Sequence, residues 1–179
     1  GEPLRRHALH DAIDAHLRLQ DPERYWGWPA WPEVLRDPAG AGAREFEDEH
    51  RVAVEYYAWL QWIADVQLAA AQGLARELGM PIGLYGDFAV GVNPSGAETW
   101  SDQQVYRMGA GVGAPPDPLA LKGQDWGIPP QDPHELIAAC YRPFRELIAA
   151  NMRDFGALRL DHVMALFRQW WVPVGLGAT

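Results

Sequence analysis

A chain of 179 residues is one domain of ordinary size, and its 48% hydrophobic and 22% charged content is enough to bury a core. The net charge of −9 argues against nucleic acid and anionic membrane surfaces as partners, because both attract basic surfaces. Cys140 is the single cysteine, so no internal disulfide and no paired-thiol metal site can form, which fits a reducing, cytoplasmic setting.

Arg5 to Leu19 reads as a helix, with Leu4, Ala8, Leu9, Ala12, Ile13 and Leu17 at helical spacing and Asp21-Pro22 as the stop. His7 and His10 lie one turn apart on it without a third ligand, which predicts a solvated face and no metal. The Trp- and Pro-rich run from Tyr25 to Pro38 predicts a loop or very short helix. A long helical stretch from about Ala43 to Leu78, with room for a break, carries Trp59, Trp62, Ile63, Val66 and Ala70 on one face and stops at Gly79. Its most apolar part, Trp59 to Ala75, is interrupted by Gln61, Asp65, Gln67 and Gln72, so it is not a membrane span.

The segment MPIGLYGDFAVGV, residues 80–92, reads as a buried strand. Residues 93–133 are expected to be mostly loop, with a short helical candidate at Gln103 to Met108, and a loop that long is usually functional. Gly109, Gly111 and Gly113 do not make a nucleotide loop, because Pro115-Pro116 blocks the helix that would have to follow. Pro133, capped by Asp132, opens a helix running to about Asp154. Gly156 ends it, a second buried strand covers Ala157 to Asp161, and an aromatic tail follows. Helix, strand, long connection, helix, strand predicts a parallel sheet with helical crossovers.

Chemistry concentrates at ALRLDH, residues 157–162. Side chains alternate along a strand, so Arg159 and Asp161 share a side, with Leu158 and Leu160 on the other. A guanidinium beside a carboxylate favours its charged form, which suits a nucleophile and not a general acid. The residues alone leave two readings open: a strand-end active site, or a structural ion pair with His162 capping the next turn. Asp87 repeats the pattern at the end of the earlier strand. The nine tryptophans likewise fit either core packing or flat platforms for sugar rings.

The ordered set GLYGDFAVGV (83–92), GAETW (96–100), GAPPD (113–117), GQDWGIPP (123–130), ALRLDHV (157–163) and WWVP (170–173) resembles the amylomaltase, or 4-α-glucanotransferase, family. The departures are small: Gly86 where Arg is usual, Asp125 for Asn or Arg, and Leu160 for Ile. The resemblance implies a (β/α)8 TIM barrel, here an incomplete, helix-rich α/β piece with few strands. It implies a single partial catalytic-barrel section over 1–179 whose donor-covering loop is about 93–133.

The same resemblance implies transfer of α-1,4-glucan segments between maltooligosaccharides through a covalent intermediate on Asp161, without cofactor or metal. Asp87, Asp117, Gln124, Trp126, Arg159 and His162 would bind substrate. No Asp or Glu follows Asp161, so the acid/base residue is expected outside the sequence, making the chain an internal piece that is inactive alone. Such a piece is expected to self-associate or accompany a complementary fragment of the same enzyme. The competing readings are a non-catalytic glucan-binding or assembly module and a purely structural oligomeric protein.

Overall fold

Ala8, Leu9, Ala12, Ile13 and Leu17 form one buried stripe along helix α1 (Glu2–Gln20) in the computed structural model of the protein, which describes residues 1–89 and 91–179. The chain divides into two units, Gly1–Val66 with Ser95–Gln103, and Gln67–Pro94 with Gln104–Thr179.

The first unit is helical. The α1 stripe packs with Trp28, Trp31, Ala43, Phe46, Val54 and Trp100, so these three tryptophans serve the core. The run from Tyr25 forms a 3-10 turn at Trp28–Ala30 and the short helix α2 (Glu33–Arg36), as its prolines suggest. The long helical stretch is broken at His50 into α3 (Ala41–Glu49) and α4 (Arg51–Glu77). Helix α5 (Ala97–Ser101) completes the unit and carries Thr99 and Trp100, both 0% exposed.

Three buried polar side chains in this unit, Trp28, Thr99 and His10, are paired in specific ways. Trp28 Nε1–H donates to Thr99 Oγ1 at 2.9 Å, and that hydroxyl donates on to the Gly96 carbonyl at 2.9 Å. His10 corrects the expectation of a solvated face: it is 5% exposed, Nε2 lies 3.0 Å from the Ser95 carbonyl and Nδ1 3.0 Å from Asp11. Its ring sits 5.2 Å from that of Trp31. The imidazole supplies an apolar body and a donor at one position, which is why spacing on the helix alone did not reveal its burial. Among the described residues no group of three His, Cys, Asp or Glu is placed to hold a metal, and no helix is long and apolar enough to cross a membrane.

Among the described residues the second unit holds all the strands. Helix α4 ends in it with two reversed hydrogen bonds, Gly79 N–H to Arg76 O and Met80 N–H to Ala75 O, which the left-handed Gly79 (φ 77°) permits. Strand β1 (Tyr85–Phe88) follows and pairs in parallel with β4 (Ala157–Leu160), Asp87 standing opposite Arg159. Burial along β1 alternates, Gly86 and Phe88 in and Tyr85 and Asp87 out. Both strands correct the expectation of buried strands: β1 is buried on one face only, and β4 is half-buried at Ala157 and Leu158 and exposed at Arg159 and Leu160.

Residues 93–133 differ most from expectation. The glycine-rich run is strand β2 (Ala110–Ala114), central in an antiparallel sheet between β3 (Gln124–Ile128) and β5 (Trp170–Pro173). Small residues let the flanking strands approach from both sides, so the composition that suggests a loop here suits a crowded middle strand. The helical candidate at Gln103 to Met108 is replaced by turns and a bridge between Tyr106 and Gln131.

Asp132 caps α6 (Pro133–Ala138), its carboxylate accepting from His134 N–H and Glu135 N–H. The helix expected to reach Asp154 stops and restarts as α7 (Arg142–Met152). Pro143 explains the break: it has no N–H to give residue 139 and its ring clashes with that carbonyl, so Cys140 and Tyr141 turn left-handed (φ 50° and 55°).

Gln72 of α4 fixes where β1 begins. It is buried, its Nε2 donates to Ile82 O at 3.2 Å, and its Oε1 accepts from Leu84 N–H at 2.6 Å. Leu84 O in turn accepts from Gly156 N–H at 2.9 Å, which starts β4 alongside β1. A Cβ at Gly156 would collide with the Ile82 carbonyl, so only glycine allows this approach.

Gln72→Leu leaves the half-buried Leu84 N–H and the Ile82 carbonyl without their side-chain partner and is expected to destabilise the second unit by about 1–2 kcal/mol. Hydrogen exchange at Leu84 and Gly156 checks this; protection at those amides falls first. The Asp132 carboxyl is held below its ordinary value of 3.8 by the Arg107 guanidinium and then by the two capping N–H groups. A depressed folded value means that its contribution is present above the ordinary range and is lost as pH falls through the lowered one. Asp132→Asn is therefore expected to flatten that part of the acid-unfolding curve, read by circular dichroism.

Candidate active site

Two parallel strands end side by side at Phe88 and Leu160, with Asp87 just before the end of β1 and Asp161 just after the end of β4. Arg159 stands between them. Its Nη1 donates to Asp87 Oδ2 at 2.6 Å, and its Nη2 donates to Asp161 Oδ1 at 2.7 Å. One planar guanidinium thus holds two carboxylates, which a point-charge ammonium could not do with the same geometry. The Arg159 guanidinium is raised above its ordinary value by the hydrogen bond to Asp87 first, then by the charge of Asp161.

The cluster is open to ligand. Asp87, Asp161 and Arg159 side chains are 61%, 53% and 48% exposed. Water screens the ion pairs at that exposure, so their use as a stabilising element is small. What the fork supplies is position: both carboxylates are fixed at the carboxyl edge of the parallel pair, where (β/α) folds place their chemistry.

Beside the cluster lies a cavity of about 70 Å³. Phe88, Phe144 and Leu160 give it an apolar wall, and Asp161, His162 and Gln131 line it with polar groups. Few convergent polar groups on an apolar wall are the pattern of a small-molecule site. Gln131 and Tyr106, whose hydroxyl accepts from Gln131 Nε2 at 3.2 Å, are lining residues that sequence reading did not single out. The signal for Gln131 was its place directly after Pro129-Pro130, at the exit of the predicted loop.

His162 follows Asp161 in the left-handed region (φ 47°, ψ 49°) and opens the 3-10 turn Val163–Leu166 without a side-chain capping bond. The expected structural cap is therefore not made. Its ring instead meets Trp126 of β3 edge to face, centroids 4.8 Å apart at 89°. Trp126 Nε1–H donates to Gln124 Oε1 at 2.9 Å. Five of the sequence-predicted residues thus form a connected set with Asp161, in two links: Asp87 and Arg159 on one side, and His162, Trp126 and Gln124 on the other. Asp117 is not joined to it. Its Oδ1 accepts from Leu119 N–H and Ala120 N–H, both at 2.7 Å, so it is committed to its own turn between β2 and β3.

A family model described as 4-alpha-glucanotransferase, of glycoside hydrolase family 77, matches residues 1–178. The chain belongs to this family. A 4-alpha-glucanotransferase of Haemophilus influenzae is 41% identical over 177 residues, covering 98% of this chain and 25% of that protein. A 4-alpha-glucanotransferase of Mycobacterium tuberculosis is 48% identical over 152 residues, covering 85% of this chain and 21% of that protein. Among solved structures, amylomaltase from Corynebacterium glutamicum superposes with a TM-score of 0.78 at 35% identity, over 99% of this chain and 22% of that one.

Amylomaltase from Streptococcus agalactiae, solved in complex with acarbose, reaches a TM-score of 0.85 at 17% identity and speaks for the fold. The chain spans a quarter or less of the curated family 77 relatives named here. Its helix-rich α/β fold with two unclosed sheets is that of an incomplete (β/α)8 barrel.

A guanidinium engaged at both Nη groups rotates slowly, so Arg159 is expected to give separate Nη1 and Nη2 signals in side-chain nitrogen NMR. Asp87→Asn or Asp161→Asn should merge or broaden them. A single averaged signal in the unaltered protein would show that the fork is not formed.

Proposed function

We propose that this chain is the nucleophile-bearing section of the catalytic barrel of a 4-α-glucanotransferase, moving α-1,4-glucan segments between maltodextrins. The observation that carries the reading is Arg159 joining Asp87 and Asp161 at the carboxyl edge of β1 and β4. Membership of the family supports the reaction class.

In the first step an Asp161 Oδ attacks the anomeric carbon of an α-1,4-linked glucose. The bond from that carbon to the 4-oxygen of the neighbouring sugar breaks, and that oxygen leaves with a proton from an acid. In the second step the 4-hydroxyl of an acceptor glucan attacks the same carbon, gives its proton to the conjugate base, and frees Asp161. Two inversions leave an α-bond, which is retention. Arg159 orients Asp161, while Asp87 and His162 border the reacting sugar. Gln124 and Trp126 belong to the donor-covering β2–β3 segment, and Asp117 shapes its outer turn.

The acid of this mechanism is expected from another part of the enzyme. A retaining pair needs carboxyl groups about 5–5.5 Å apart with opposite roles. Asp87, the carboxylate linked to Asp161 here, is already engaged by the same arginine. The isolated chain should therefore transfer maltosyl units about 10²–10⁴-fold more slowly than the whole enzyme. Incubation with maltotriose and chromatography of the products checks this, and normal disproportionation by the isolated chain would contradict it.

The nucleophile is tested in the full-length protein carrying this sequence. Reaction with an activated α-glucosyl fluoride, followed by peptide mass spectrometry, is expected to find one glucosyl group on Asp161. A label on another residue would reject the assignment. Tight maltooligosaccharide binding with no label and no turnover would favour the glucan-binding module.

A further inference from the structure

Reading Gln124 and Trp126 as direct sugar contacts would call on their polar atoms, yet here the Trp126 Nε1–H and Gln124 Oε1 are committed to each other. The Trp126 ring edge-to-face with His162 is the ring contact that reaches the residue after Asp161. Gln124 and Trp126 lie two apart on β3, so they share a side of the strand. Trp126 sits in the bulge of β3, flanked by Asp125 and Ile128, which pair with Gly113 and Val112 of the central strand β2. His162, by contrast, occupies a left-handed conformation that a non-glycine residue holds only when its surroundings enforce it.

We propose that Trp126 is a positioning residue for Asp161, acting through His162, with Gln124 fixing the indole by accepting its N–H. The inference rests on Asp161 being the nucleophile, as proposed above. The geometry makes a continuous line: Gln124 Oε1 to Trp126 Nε1, the indole to the His162 ring, and one peptide bond back to Asp161. Arg159 restrains the Asp161 carboxylate itself. Asp161 is thereby restrained by a charged fork at its carboxylate and by an aromatic brace at the ring of the next residue. Movement of the β2–β3 segment would release the brace, coupling the state of that segment to the aim of the nucleophile.

The test uses full-length protein and α-glucosyl fluoride as donor. This donor carries one sugar, so contacts to glucan beyond the cleavage point cannot enter the result. Its carbon–fluorine bond breaks as the bond to Asp161 forms, and fluoride leaves with the electron pair. Trp126→Ala is expected to lower kcat by about 10–100-fold, the cost of a slightly misplaced reacting group, with KM changed by about twofold or less. Trp126→Phe keeps an aromatic edge and should recover most of the rate, and Gln124→Leu should fall between the two. Trp126→Leu carries the test if the alanine variant loses its thermal transition.

Unchanged kcat in Trp126→Ala or Trp126→Leu, or an effect confined to KM, overturns the positioning role and returns Trp126 to simple sugar contact. Full activity in Asp161→Ala would overturn the nucleophile itself, so failure of the two readings can be told apart.

Discussion

The parallel pairing of two four-residue strands is the constraint from which the rest follows. With Asp87 opposite Arg159, the guanidinium reaches a carboxylate on the neighbouring strand and another two positions ahead on its own. A slip of one residue would turn every side chain of β4 to the other face and send Arg159 away from Asp87. The register is set at the far end of the strands. There Gln72 holds both Ile82 and Leu84, and the Leu84 carbonyl receives Gly156. A buried amide at the amino ends of the strands thus fixes the spacing of charges at their carboxyl ends.

The fork bears on the choice that the sequence left open between an ion pair and a site. It is an ion pair by geometry, but exposed to solvent and bordered by a cavity with an apolar wall. Burial is what makes an ion pair costly to break, and this one is not buried. Its use is in holding two acceptor groups at fixed positions near open space. That arrangement suits a reaction on a neutral sugar, whose hydroxyls donate to carboxylates while its carbon is attacked. This is the reading proposed for a chain whose family membership rests on independent ground.

How much was legible depended on the physics of each signal. Helix α1, the cap at Asp132, the stop at Gly79 and both parallel strands were readable because each rests on local chemistry: apolar period, a side-chain acceptor, a left-handed glycine. So was the same-side placement of Arg159 and Asp161. The break at Cys140-Tyr141 was legible in Pro143 but outweighed by the apolar period around it. The antiparallel sheet was not legible, since the central strand GAGVGA depends on partners at Gln124–Ile128 and Trp170–Pro173. Nor was His10, whose burial comes from rings at Trp31 and Trp100. The meeting of Trp126 with His162 likewise joins residues far apart in sequence and could only be seen once folded.

The most direct measure of the central claim is a double-mutant cycle on the rate of glucosyl-enzyme formation, pairing Arg159→Ala with Asp87→Ala. If the arginine works as one fork across both strands, the two changes are strongly non-additive, and the double variant is little slower than the worse single one. Independent, additive losses would show that Asp87 and Arg159 act separately and would contradict the account.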